Sequence, residues 1–212
     1  LALGLTKNDY VWTSSITFVA SANCALYCGA SIDFIDIDPL SYNLNIDALT
    51  KKLEIAKENG TLPKVVIPVH LTGQSCDMLA ISKLSKIYNF KIIEDASHCI
   101  GGSYLNNKIG SCEYSDISVF SFHPVKIITT GEGGMVTTND RDLWSAMWSY
   151  KDHGKSWDAV YRREHPPGFR WVHESFGTNW RMLEMQAVIG RIQLQRMLQW
   201  TALRTRNAQT IL

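Results

Sequence analysis

Two chemically suggestive groups each follow a short β-branched run. The run at residues 91–94 leads into Glu94-Asp95-Ala96-Ser97-His98, which sets down a carboxylate and then an imidazole. The run at 117–122 leads into Ser121-Phe122-His123-Pro124-Val125-Lys126, with the glycine-rich turn Gly131-Glu132-Gly133-Gly134 close behind. Ligands of open α/β sheets sit at the carboxyl ends of the strands, so these positions are the first to read for function. An aspartate at one strand end and a lysine after another suit a pyridoxal cofactor. The carboxylate keeps the pyridine nitrogen protonated so that the ring accepts electrons, and the lysine holds the aldehyde as a Schiff base. Lysine serves because desolvation readily lowers its pKa, exposing a nucleophilic neutral amine. Alone, neither residue identifies such a site, since an isolated lysine is ordinarily solvated surface.

Positioning these groups requires a particular order of elements. Residues 10–13, 31–37, 64–70 and 91–94 read as strands, with helical patterns at 18–28, 47–59 and 77–88 between them. That alternation predicts an α/β fold: three layers, a mostly parallel sheet with helices on both faces. Asn45 is an N-cap and Gly60 a C-cap for the second helix. After Glu94, Gly101-Gly102, a polar turn at Asn106-Asn107 and the runs 117–122 and 135–138 suggest a more antiparallel stretch. Residues 153–178, with Pro166-Pro167-Gly168 and many aromatics, read as a long functional loop. A helical pattern returns at Arg181, and its arginines (Arg181, Arg191, Arg196, Arg204, Arg206) read as a solvated or ion-paired face.

Bulk properties narrow the classes further. Hydrophobic residues at 45% and charged ones at 19% suit a globular protein, and no apolar run reaches the roughly 20 residues of a membrane span. A net charge of +1 removes the electrostatic basis for nucleic-acid binding, so any phosphate is expected on a small ligand. Five cysteines, odd in number and mostly in apolar segments, suit reduced thiols in a cytoplasmic protein. Cys24 and Cys28 would share a helix face; two thiols make a weak metal signal, so a buried structural role is expected and no metal.

The sequence resembles the DegT–StrS family of nucleotide-sugar aminotransferases. The lysine motif Ser121–Lys126, followed by Thr130-Gly131-Glu132-Gly133-Gly134, carries the resemblance. Three further stretches match in the family's order: Thr17-Phe18-Val19-Ala20-Ser21-Ala22-Asn23, Glu94-Asp95-Ala96-Ser97-His98 and Gly177-Thr178-Asn179-Trp180-Arg181-Met182. It implies the large domain of a pyridoxal 5'-phosphate-dependent, fold type I transferase over residues 1–180, and a long helix over 181–212 leading towards a small domain. The resemblance makes Lys126 the Schiff-base lysine and proton carrier and Asp95 the partner of the pyridine nitrogen. His98 stands where many members have Gln, beside the ring's phenolic oxygen. Ser121 would bind the cofactor phosphate, Phe18 would stack on the ring, and Asn179 would reach the phosphate of the neighbouring subunit in a homodimer with shared active sites.

Each assignment has a plainer rival. Phe18 could be a core aromatic, Ser121 could satisfy backbone groups, and Asn179 could be a helix N-cap. His70 and His123 read as structural, and Glu132 as shaping the glycine turn or pairing with a cation. The resemblance implies transamination of a nucleotide-linked keto sugar, a 4-keto-6-deoxy hexose first, with glutamate as amino donor. Sugar and phosphate contacts would come from the loop at 153–178. Retention of Lys126 argues against the family's dehydratase branch, where a histidine takes that place. The family's small-residue phosphate loop would lie before Leu1 and its small domain beyond Leu212, so the chain reads as cut at both ends. Two other readings remain: a truncated or regulatory paralogue without catalysis, and another fold type I pyridoxal enzyme.

Overall fold

The computed structural model describes residues 1–166 and 173–211. Six strands form one sheet in the order β2-β1-β3-β4-β7-β8. They are β1 (Tyr10–Ser14), β2 (Ser31–Ile35), β3 (Val65–Ile67), β4 (Lys91–Asp95), β7 (Ile117–Ser121) and β8 (Gly134–Thr137). The first five run parallel, and β8 returns antiparallel beside β7 with Ser121 opposite Gly134. A small hairpin, β5 (Ser103–Tyr104) with β6 (Asn107–Lys108), stands apart. Residues 117–138 thus form the antiparallel stretch that the glycine turn implied.

Helices α1 (Ala20–Tyr27), α2 (Ile46–Asn59) and α3 (Met78–Tyr88) connect the parallel strands. Asn45 caps α2 by accepting from the Ala48 amide at 2.9 Å, and Gly60 ends it at φ 69°, a left-handed conformation that glycine adopts without Cβ strain. Asp77 caps α3 in the same way through the Ala80 amide. Strand pleating sorts side chains to two faces. Trp12, Ile35, Val66 and Ile92 pack under Leu49, Leu53, Met78 and Ile81 of α2 and α3. Val11, Val65 and Ile67 pack on Ala25 of α1. Helices therefore lie on both faces, as the three-layer expectation required.

Boundaries differ where backbone chemistry intervenes. β3 stops at Ile67 rather than running through 70, because Pro68 has no N–H to give; its carbonyl accepts from Asp95 instead. β2 ends at Ile35 rather than 37, and Ile37 bridges antiparallel to Leu44. The stretch read as a loop from 153 contains a short helix, α5 (Trp157–Tyr161), capped by Ser156. It packs through Trp157 against Trp144 and Trp148 of α4 (Arg141–Lys151), a helix that the apolar pattern did not reveal. Pro167 and Gly168 lie outside the described residues. The last helix, α6 (Glu184–Ile211), begins three residues after Arg181; Arg191, Arg196, Arg204 and Arg206 are exposed and Arg181 pairs with Asp152 at 2.9 Å. The buried role expected of Cys24 and Cys28 does not hold: Cys24 is exposed and Cys28 half-buried at the end of α1, because α1 turns only Ser21 and Ala25 inward. Cys76, Cys99 and Cys112 are buried.

Candidate active site

Glu94 and Asp95 are neighbours in sequence, yet the pleat of β4 sends them to opposite faces. Glu94, 4% exposed, joins the α2–α3 side, where it accepts hydrogen bonds from His70 Nε2 at 2.9 Å, from Ser118 at 2.9 Å and from Ser115. His70 Nδ1 accepts the Cys76 amide, so the ring's Nε2 carries the proton given to Glu94. His70 is structural, as expected. Burial raises the Glu94 pKa, but the hydrogen bonds it accepts outweigh that effect and hold the carboxyl below its ordinary value.

Asp95 faces the α1 side and is half-buried. Its Oδ1 accepts from the Ser97 amide at 3.1 Å and its Oδ2 from the Ser21 hydroxyl at 2.6 Å. His98 follows on the turn after β4. Its Nδ1 accepts the Thr72 amide at 3.3 Å, which places the proton of a neutral ring on Nε2. Thr72 presents that amide from a left-handed φ of 56°. Burial first, and the charge of Lys126 second, lower the pKa of His98, with Asp95 pulling the other way. The acid, the imidazole and the amine thus share one electrostatic neighbourhood.

Lys126 is half-buried, and its amine makes no hydrogen bond or ion pair among the described residues. Residues 122–133 hold it in a closed turn: Phe122 N–H donates to Gly133 O, and Thr130 N–H to Phe122 O. α6 clamps this turn from outside, Gln193 Oε1 accepting the Thr129 amide and Gln186 Nε2 donating to the Glu132 carbonyl, both at 2.8 Å. The exposed side chain of Glu132 stands 3.9 Å from His123, and its backbone carbonyl is tied into the turn by Thr130 and Gln186. His123 also accepts the Val125 amide.

Ser121 points to the same face as Asp95 and accepts the His123 amide at 3.3 Å, the backbone role named as its rival; its own proton has no partner among the described residues. Phe18 is 72% exposed, which removes the core reading and leaves its ring open to a ligand. Asn179 is not brought to this cluster. It lies at the end of α4, bridged to Asp152, and accepts from Arg181 at 3.2 Å. Helix α6 begins five residues later, so the N-cap reading fails. Gly154 and Gly177 allow this strapping: a Cβ on either would run into the facing backbone. Part of the loop expected to contact the sugar, residues 167–172, lies outside the described residues. Two residues escaped the sequence reading. Ser21, though inside a matching motif, was given no role, and the Thr72 amide is invisible to side-chain patterns.

The model of the DegT/DnrJ/EryC1/StrS aminotransferase family matches residues 1–212. The chain belongs to this family. Pyridoxal phosphate is accordingly its cofactor, and the residues present fit it: an acid, a lysine without a counter-ion among the described residues, a hydroxyl and an open aromatic ring at the ends of β1, β4 and β7. Over 206 residues the chain is 40% identical to a GDP-perosamine synthase of Caulobacter vibrioides, covering 97% of this chain and 51% of that protein. It is 38% identical over 201 residues to a UDP-4-amino-4,6-dideoxy-N-acetyl-beta-L-altrosamine transaminase of Campylobacter jejuni, covering 92% and 48%. Among solved structures, an aminotransferase from Psychrobacter cryohalolentis superposes with a TM-score of 0.90 at 47% identity, covering 99% of this chain and 51% of that one. This DegT/DnrJ/EryC1/StrS chain spans about half the length of the relatives it matches.

Proposed function

We propose that the protein aminates a nucleotide-linked keto-deoxy sugar, a 4-keto-6-deoxy hexose, with glutamate as donor, in surface-polysaccharide or amino-sugar biosynthesis. The observation that carries this reading is the grouping of Asp95, His98 and Lys126, the last with no partner among the described residues, at the ends of adjacent strands. Two relatives bear the names of enzymes of GDP- and UDP-linked amino sugars, which supports the substrate class. Bound pyridoxal phosphate supplies an aldehyde to carry the amino group and a ring to accept electrons.

The chain's own residues do the rest. Lys126 would hold the aldehyde carbon and, once displaced by the donor, would carry the proton between the substrate's α-carbon and the cofactor. Asp95 would keep the proton on the ring nitrogen. His98, donating from Nε2, would bind the ring oxygen without bringing a second positive charge beside Lys126. Ser121 would give its proton to the phosphate, and Phe18 would cover the ring from water. Asn179, exposed and away from the cluster, would serve the phosphate of a second subunit, making the active unit a homodimer.

Adding pyridoxal phosphate should produce a visible absorption band and a borohydride-reducible adduct, and Lys126→Ala should lose the adduct while keeping its fold by circular dichroism. The same adduct in the variant would overturn the assignment of Lys126. Glutamate-dependent amination of GDP-, UDP- and dTDP-linked keto sugars by a form extended to the relatives' length tests the substrate class. Turnover of free keto acids alone would overturn it.

A further inference from the structure

Asp95 is held from two sides, by the Ser97 amide on Oδ1 and the Ser21 hydroxyl on Oδ2. The Ser21 contact is short and spans 74 residues of sequence, joining the first turn of α1 to the end of β4. Ser21 is itself 5% exposed, and its Oγ lies 2.9 Å from the Thr17 hydroxyl. A serine hydroxyl has one proton to give. With that proton committed to Asp95, the contact with Thr17 admits one polarity, Thr17 donating and Ser21 accepting. The hydroxyls therefore line up, Thr17 to Ser21 to Asp95, with every proton directed at the carboxylate.

Thr and Ser beside a helix start ordinarily cap its free amides. α1 has no such cap: Val19 holds the N-cap position with no side-chain hydrogen bond. The Ser21 hydroxyl goes to the carboxylate instead, and the Thr17 hydroxyl to Ser21. The apolar contact of α1 with Val11, Val65 and Ile67 comes from Ala25, one turn further along.

We propose that Ser21, supported by Thr17, is a positioning residue that fixes the rotation of the Asp95 carboxylate and thereby its hold on the proton of the cofactor's ring nitrogen. The terminal torsion of an aspartate is soft and nearly two-fold, so an unrestrained carboxylate sweeps through orientations that offer the ring no oxygen. Ser97 and Ser21, one on each oxygen, remove that freedom before the cofactor arrives, as preorganised sites require. The inference rests on Asp95 being the ring-nitrogen partner.

The test uses the holoprotein loaded with pyridoxal phosphate labelled with ¹⁵N in the ring. Ser21→Ala should move the ring ¹⁵N signal towards the unprotonated position and weaken cofactor retention about tenfold, the effect of one hydrogen bond to a charged group. Ser21→Thr, which restores the hydroxyl, should return the signal to the wild-type position. Thr17→Val, at a half-buried position, should move it in the same direction by less, and serves if Ser21→Ala folds poorly. A role limited to fastening α1 would lower the melting temperature and leave the ring signal in place. Asp95→Asn separates the two ideas. If it shifts the signal while neither Ser21→Ala nor Thr17→Val does, the positioning role is overturned; if Asp95→Asn leaves the signal unmoved, the reading of Asp95 itself fails.

Discussion

Glu94 matches its surroundings as an acceptor only: three donors, from His70, Ser115 and Ser118, converge on its two oxygens. Because its folded pKa lies below the ordinary 4.5, its stabilisation is fully present above about pH 4.5 and is lost as pH falls through the lower folded value. Glu94→Gln sets an amide against donors and should cost about 2 kcal/mol at pH 7, measured by urea unfolding. The variant should also lose part of the wild-type decline in stability below pH 4.5. An unchanged acid limb would show that this carboxylate does not couple folding to protons. The contrast with Asp95, one residue along, is a matter of face: one carboxylate is consumed by the core and the other stands half-buried on the α1 side, where the proposed site lies.

At the scale of elements, α6 is more than an exit from the domain. Its first half grips the turn that follows Lys126 through Gln193 and Gln186, and a Cβ on Gly190 would meet Thr130 at 2.9 Å. Further along, Met197 and Trp200 pack on the cluster of Phe120, Phe122 and Ile128. α6 therefore braces the turn that carries the amine from one side. Gln193→Ala removes the acceptor of the Thr129 amide, a bond contributing about 1 kcal/mol, and should speed hydrogen exchange at that amide roughly fivefold. No change in its exchange rate would show that α6 is not what holds the turn.

For the whole molecule, α6 displays Met185, Val188, Ile189, Ile192 and Leu198 largely to solvent, as Met135 and Val136 are on β8. No described helix is long and apolar enough to cross a membrane. With the chain at about half its relatives' length, the proposed homodimer and its shared sites give a clear expectation. The 212 residues alone should aminate sugar poorly, since substrate groups would be weakly positioned, whereas a form extended to the relatives' length should turn over as a dimer. Light scattering and a glutamate-dependent assay on both forms check this. Full turnover by a monomer of the short chain would contradict the shared site.

What the sequence determined by itself is local or periodic: the alternation of strand and helix, the caps at Asn45 and Gly60, and the strand ends that deliver Asp95 and Lys126. Such features were legible because short-range sterics and hydrogen bonds set them within a few residues. α4 was missed because its aromatics face α5 rather than making an apolar stripe on the sheet. Tertiary structure alone decided which of two adjacent carboxylates serves the core, that Phe18 stands open, that Cys24 faces outward, and that Ser21 and the Thr72 amide reach Asp95 and His98. Those outcomes depend on contacts between segments 24 to 74 residues apart, which form only once the sheet brings the strand ends side by side.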